Sequence, residues 1–273
     1  MLNLPLRPVG VMAEKQTGIV HSEQERRIAV ALSGKNKSNA VEEFVRGLPV
    51  GAFFCSAGLA GMASSRTIQR TLRRLTDNDV VMRCMRGVYY RPGIVSCSWM
   101  KTKPFAASPS YEEVLRFYGS LTGEIIGMHG AVACNGTGIS PDVPMRAIFH
   151  TTGRSRMVSV FGKRTLLLVH INARCMRLSD HPVHPVLMAL LWRGRTKWGR
   201  QYVDMEMMEY FHRKLSKENF AFLNSRRDAM PLWLSKKFDM YLGSPRYALN
   251  DGPGRLPQTP RFRRSDDDDL KFL

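Results

Sequence analysis

The sequence predicts an α+β fold, and three observations carry that expectation. Helical apolar periodicity with capping signals dominates residues 38–78. Short apolar or alternating runs bounded by glycine follow at 80–91 and again across 147–171. Helical stripes then return between residues 183 and 242. The chain has 273 residues, 44% of them hydrophobic, so a wholly disordered chain is excluded. No apolar run approaches the ~18 residues that span a bilayer, so no membrane partner is expected.

Asn39-Ala-Val-Glu42 has the spacing of a capping box, with Asn39 as the cap. Val41, Phe44, Val45 and Leu48 follow as one apolar helical stripe that Gly47 and Pro49 end. Gly51–Phe54 reads as a connector. Ser56 then caps a brief helix with Leu59, Ala60 and Met62 inward. Ser64 or Ser65 caps the next helix, which runs to about Asn78. In that helix Ile68, Leu72 and Leu75 make the buried side, and Arg66, Gln69, Arg70 and Arg73 fall on the opposite face. Val80–Arg91 is a hairpin turning at Met85-Arg86-Gly87, with Arg83, Arg86 and Arg91 available to solvent. Three helices, the last basic, then a basic hairpin, is the order of a winged helix-turn-helix, expected at 38–93. Residues 1–37 read as a flexible arm with one short helix at Ser22–Leu32, and Met12 is a second candidate start.

Pro104 and Ser108-Pro-Ser110 suggest a linker into a mixed α+β domain, 94–243. There a helix is expected at Tyr111–Leu121, with Val114, Leu115, Tyr118 and Leu121 on one side, and another starts within Gly127–Asn135. Strands are expected at 147–151, 157–161 and 166–171, and helices near 183–192, 204–215 and 230–242. Residues 244–273 read as a disordered tail ending in a solvated acidic block, Asp266–Asp269.

Lys plus Arg number 41 against 23 Asp plus Glu, a net charge of +18. That balance favours a polyanionic partner, and nucleic acid before an anionic membrane. The excess is spread along the chain, but two clusters lack acids. One is Arg66, Arg70, Arg73 and Arg74; the other is Arg193, Arg195, Lys197 and Arg200, interleaved with Trp192 and Trp198. The major groove admits one α-helix, whose Arg and Gln side chains pair with base edges, and a neighbouring basic hairpin grips phosphate. Ser65, Arg66, Gln69, Arg70, Arg73 and Arg74 are therefore candidate DNA contacts, with Arg83, Arg86 and Arg91 from the hairpin. The bland alternative is a solvated basic face.

Catalytic signals are poor. Five cysteines (Cys55, Cys84, Cys97, Cys134 and Cys175) form no C-x-x-C pair and fit scattered thiols in a reducing compartment, hence the cytoplasm. His181 and His184 are flanked by Pro182 and Pro185 and read as turn or packing residues rather than metal ligands. No phosphate loop, H-E-x-x-H or G-x-S-x-G occurs. Thr152-Gly-Arg-Ser-Arg156 reads as a phosphate contact or as a charged hairpin turn. No enzyme, cofactor or metal is expected.

Leu48-Pro-Val-Gly-Ala-Phe-Phe54, Thr71-Leu-Arg-Arg-Leu75 and Met85-Arg-Gly-Val-Tyr-Tyr-Arg-Pro92 resemble the winged-helix start of AbiEi-like type IV antitoxins. His129-Gly-Ala-Val-Ala133, Gly138-Ile-Ser140, Val143-Pro144 and His150-Thr-Thr-Gly-Arg-Ser-Arg156 are similar to that family's second block. Gly138-Ile139 stands where Leu-Gly-Leu is usual, and Asp142 where a Gln often precedes Val-Pro. The resemblance covers about residues 38–172. It implies a repressor that binds inverted repeats of double-stranded DNA in its own promoter through the N-terminal domain, a site on which a homodimer is one possible arrangement. It also implies a downstream domain that counters a nucleotidyltransferase-like toxin without requiring a stable complex. Two other classes fit the same sequence: a plasmid or phage nucleic-acid-processing enzyme targeted by its winged helix, and a non-catalytic nucleic-acid scaffold.

Overall fold

A computed structural model describes residues 37–95, 105–141, 143–162, 164–194 and 203–245. The expectations for the arm helix at Ser22–Leu32, for Cys97 and Pro104, for Arg195, Lys197, Trp198 and Arg200, and for the acidic tail lie outside these residues. Along the chain come α1 (Lys37–Gly47), β1 (Phe53–Cys55), a 3-10 turn (Ser56–Leu59), α2 (Ser65–Asp77), β2 (Met82–Met85) and β3 (Val88–Tyr90). Then follow β4 (Ile94–Val95), β5 (Phe105–Ala106), α3 (Tyr111–Thr122), β6 (Ile126–Met128), α4 (Gly130–Gly136) and β7 (Ile148–Thr151). The last elements are β8 (Arg156–Val160), β9 (Arg164–His170), α5 (His184–Arg193), α6 (Met205–Lys214), α7 (Lys217–Ser225) and α8 (Leu232–Leu242). The class is α+β, as the alternation of period-2 and period-3.6 patterns requires.

The chain divides into two compact units. The first holds the described residues as far as Gly123 together with Met157–Leu166; the second holds Glu124–Arg156 and the described residues from Leu167 onward. The boundary expected at Gly93 therefore falls inside the first unit. The reason is tertiary. Gly93 leads directly into β4, which pairs antiparallel with β5, and Ala107 N–H donates to the Gly93 carbonyl at 2.8 Å. Phe117 of α3 stacks on Phe53 of β1 with centroids 5.3 Å apart.

In the first unit Val41, Val45 and Leu48 of α1 meet Phe54, Leu59, Ile68, Leu72, Leu75, Val81 and Tyr89 in one buried cluster. Residues 53–55, expected as part of a connector, form an edge strand in a three-stranded antiparallel sheet of order β1-β3-β2. The alternation half-buried, buried, half-buried of Phe53-Phe54-Cys55 is that of a strand with one face on the core. Gly87, at φ 78°, closes the β2–β3 turn, and its carbonyl accepts from Ser56 N–H at 2.9 Å. Asn39 is not a cap, because α1 begins two residues earlier at Lys37. Glu42 instead pairs with Arg46 at 2.9 Å and with Arg74 of α2. The brief helix expected after Ser56 is a 3-10 turn with no side-chain cap, and Ala60 beyond it is exposed.

In the second unit β6 pairs antiparallel with β7, and β7 runs parallel to β9. Gly127, expected at a helix start, is the middle residue of β6. Helix α5 is buried over Val186–Leu191, which marks it as the central helix of this unit. A Cβ on Gly130 would overlap Trp192 and the Met188 carbonyl, so glycine lets α4 approach α5 closely. Helix α7, absent from the sequence expectation, is capped by Ser216 and buries Phe220 and Leu223. Among the described residues no helix is long and apolar enough to cross a membrane.

Candidate nucleic-acid interface

Helix α2 owes its position to its apolar row. Ile68, Thr71, Leu72 and Leu75 are buried, and the Ser64 side chain accepts from Thr67 N–H at 3.2 Å to start the helix. Thr71 also reaches Ser38 of α1, with their hydroxyl oxygens 3.1 Å apart. With that side fixed, Arg66, Gln69, Arg70 and Arg73 are all exposed. None makes an ion pair or hydrogen bond through its side chain among the described residues. Arg66 stands in the first helical turn, which contains no acid. A cation there opposes the helix dipole at a cost of about 0.3–1 kcal/mol. The face is free of carboxylates until Asp77 at its C-terminal end.

The remaining expected contacts divide. Ser65 is the first residue of α2 and exposed. Arg74 is exposed beside them but pairs with Glu42, which ties α2 to α1 rather than leaving a cation for a ligand. Arg83 on β2 and Arg86 in the turn are exposed, beside buried Cys84 and Met85. Arg91 is half-buried; its backbone brackets the start of β1, accepting from Gly51 N–H at 2.8 Å and donating to the Ala52 carbonyl at 2.9 Å. Burial pushes the Cys84 thiol up to about 12, so it stays protonated behind the arginines. Cys55 is half-buried, while Cys134 and Cys175 are buried; none of these four cysteines forms a disulfide among the described residues.

A residue missed by the sequence reading belongs to the same unit. Arg164 opens β9 and is exposed beside the β8–β9 turn, where Phe161 and Gly162 adopt φ 48° and 82°. Phe161 N–H donates to the Cys84 carbonyl at 2.9 Å, and its ring lies 5.8 Å from Tyr111 of α3. Its only sequence signal is Gly162, which stands between the strands expected at 157–161 and 166–171.

The second unit offers different chemistry. Arg156 donates to Glu124 at 2.8 Å, and Thr151 Oγ1 donates to the same carboxylate at 2.7 Å. These two donors and the Arg156 charge hold Glu124 below its usual range despite partial desolvation. The Thr152–Arg156 stretch is thus a braced turn, with only Arg154 left over as an exposed cation. His129 and His150 are buried with rings 4.4 Å apart, and His150 Nε2 accepts from Gly130 N–H at 3.3 Å. The Thr137 carbonyl caps α4 by accepting from Tyr210 Oη at 2.7 Å and from Lys214.

His181 stacks on Phe222 at 3.9 Å, as a packing histidine does. His184 is buried with neither ring nitrogen hydrogen-bonded among the described residues, and burial lowers its pKa to about 4. Among the described residues no group of three His, Cys, Asp or Glu is placed to hold a metal ion.

One family model matches the chain, over residues 40–220, and its description is a family of unknown function, DUF6088. No curated protein matches.

Proposed function

The chain belongs to the DUF6088 family, and we propose that it is a transcriptional repressor that binds double-stranded DNA through its first unit. The observation that carries this reading is the exposed face of α2. Arg66, Gln69, Arg70 and Arg73 project from a helix fixed on its other side, and Arg66 sits where helix electrostatics disfavour it. A basic side chain kept against the helix dipole, with no carboxylate to satisfy it, is accounted for by an external anion. Arg and Gln are the donors suited to base edges in the major groove, and Arg83, Arg86 and Arg91 on the adjoining hairpin suit phosphate.

The order α1, β1, 3-10 turn, α2, β2, β3 is compatible with a winged helix in which α2 is the reading helix. The resemblance to AbiEi-like antitoxins extends the proposal. Two copies bind inverted repeats in the chain's own promoter, and the second unit counters a nucleotidyltransferase-like toxin in the cytoplasm. The protein acts by occupancy rather than by catalysis, with no cofactor. Footprinting on the DNA upstream of its own reading frame tests the first part. Protection of an inverted repeat is the expected result; no protection at any duplex site overturns it. Co-expression with a nucleotidyltransferase encoded by the adjacent frame tests the second, with restored growth expected.

A further inference from the structure

We propose that the nucleic-acid surface extends beyond the helix and wing to Arg164, so that the β8–β9 turn supplies a further phosphate contact. This rests on the DNA-binding reading above. Arg83 and Arg164 line one open cleft of about 640 Å³, together with Thr76, Tyr111, Glu112 and Phe161. The cleft meets α2 at Thr76. Thr76 lies one helical step, i to i+3, beyond Arg73 and borders the face that carries Arg66 and Arg70. A strand passing along α2 therefore meets the cleft where the helix ends.

Arg164 is held in place from behind. The Phe161 N–H on the Cys84 carbonyl couples the turn to β2 one residue from Arg83, and the Phe161 ring packs against Tyr111. The two guanidiniums have no ion pair among the described residues, and the cleft's one carboxylate is Glu112. Its neighbour Glu113 is occupied in the capping box of α3, accepting from Ser110 N–H at 2.8 Å. Two unpaired arginines on an open cleft, which meets the helix that carries three more, fit a duplex backbone better than a small anion, which would need an enclosed site.

The experiment measures binding of the full chain to its footprinted site and to random duplex across a salt series. The variants are Arg164→Ala, Arg164→Lys, Arg70→Ala and, as a net-charge control in the second unit, Arg174→Glu. Loss of one phosphate contact lowers the salt slope by about one unit. Arg164→Ala should then weaken both duplexes about eightfold at ~0.1 M salt, converging with wild type near ~1 M. Arg164→Lys should keep the wild-type slope, and Arg174→Glu should change it less than Arg164→Ala does. Arg70→Ala should cost more on the cognate site than on random DNA. An Arg164→Ala protein with wild-type slope while Arg70→Ala loses affinity overturns the extension and leaves the repressor reading standing. A wild-type chain that binds neither duplex overturns both.

Discussion

Arginine does opposite work in one set of residues from the first unit and another from the second. In the first, Arg66, Arg70, Arg73, Arg83 and Arg164 are exposed with no carboxylate partner among the described residues. In the second, Arg156 braces Glu124, Arg177 and Arg226 share Asp228, and Arg227 reaches Asp239 at 3.1 Å and the Ser235 carbonyl at 2.6 Å. The net charge of +18 counts both kinds alike. What separates the two sets is whether the fold supplies the counter-charge. Histidine divides the units too. Residues 37–123 and 157–166 hold none, while six of the seven lie within 124–156 and 167–273.

The largest expected effect would break the comparison outright if it failed. Replacing Arg66, Arg70 and Arg73 together by Ala should reduce cognate-site affinity by at least ~100-fold, given about 1–3 kcal/mol per base contact. Thermal stability should stay within about 0.5 kcal/mol, as for surface changes that remove no internal bond. A fall in melting temperature with binding intact would make these arginines structural.

Acid should act on the other unit. His184 is buried neutral, with its pKa depressed from 6.5 to about 4. Between those values the unfolded chain binds a proton that the folded chain does not, so stability falls as pH drops through that window. The loss is of the order of 3 kcal/mol by pH 4. Denaturant titrations at pH 7 and pH 4.5 measure it, and His184→Leu should flatten the difference.

Arg227→Ala sharpens the contrast at smaller scale. It removes the bonds to Ser235 and Asp239 and the ring contact with Phe238, at a cost of about 1.5–3 kcal/mol. DNA affinity should not change in an electrophoretic shift assay. Smallest is Glu42→Gln, which releases Arg46 and Arg74. Such exposed pairs contribute about 0.2–1 kcal/mol, so a small drop in denaturation midpoint is expected. Arg74, newly unpaired, should raise affinity for random duplex slightly.

The sequence made α2 legible because its apolar row and its basic row fall on opposite sides at helical period, and only one arrangement satisfies both. Strands β7–β9 were legible from glycine-bounded apolar runs. The failures have tertiary causes. Phe53-Phe54-Cys55 is too short to alternate recognisably, and it is a strand because β3 pairs with it. Asn39 resembles a cap, but α1 continues back to Lys37. Pro104 and Ser108-Pro-Ser110 look like a linker, yet Phe117 returns to Phe53 across sixty-odd residues, so the first compact unit runs past Gly93. Arg164 is illegible for the same reason: nothing local to Phe161-Gly162 indicates that the Phe161 amide bonds the Cys84 carbonyl, one residue from Arg83.

The discontinuity of the first unit has a consequence during synthesis. When Gly123 has left the ribosome, α1–α3 and the β2–β3 hairpin are all made, but the segment Met157–Leu166 is not. Some thirty residues of the second unit must be translated in between. At about 5–20 residues per second, that interval lasts a few seconds. Through it the nascent chain displays the arginines of α2 without Arg164, and without the Phe161 amide that satisfies the Cys84 carbonyl. On the proposed reading, a premature stop between codons 123 and 157 would release a product with α2 and the β2–β3 hairpin but without the Arg164 phosphate contact. Its binding would fade with rising salt less steeply than that of the full chain.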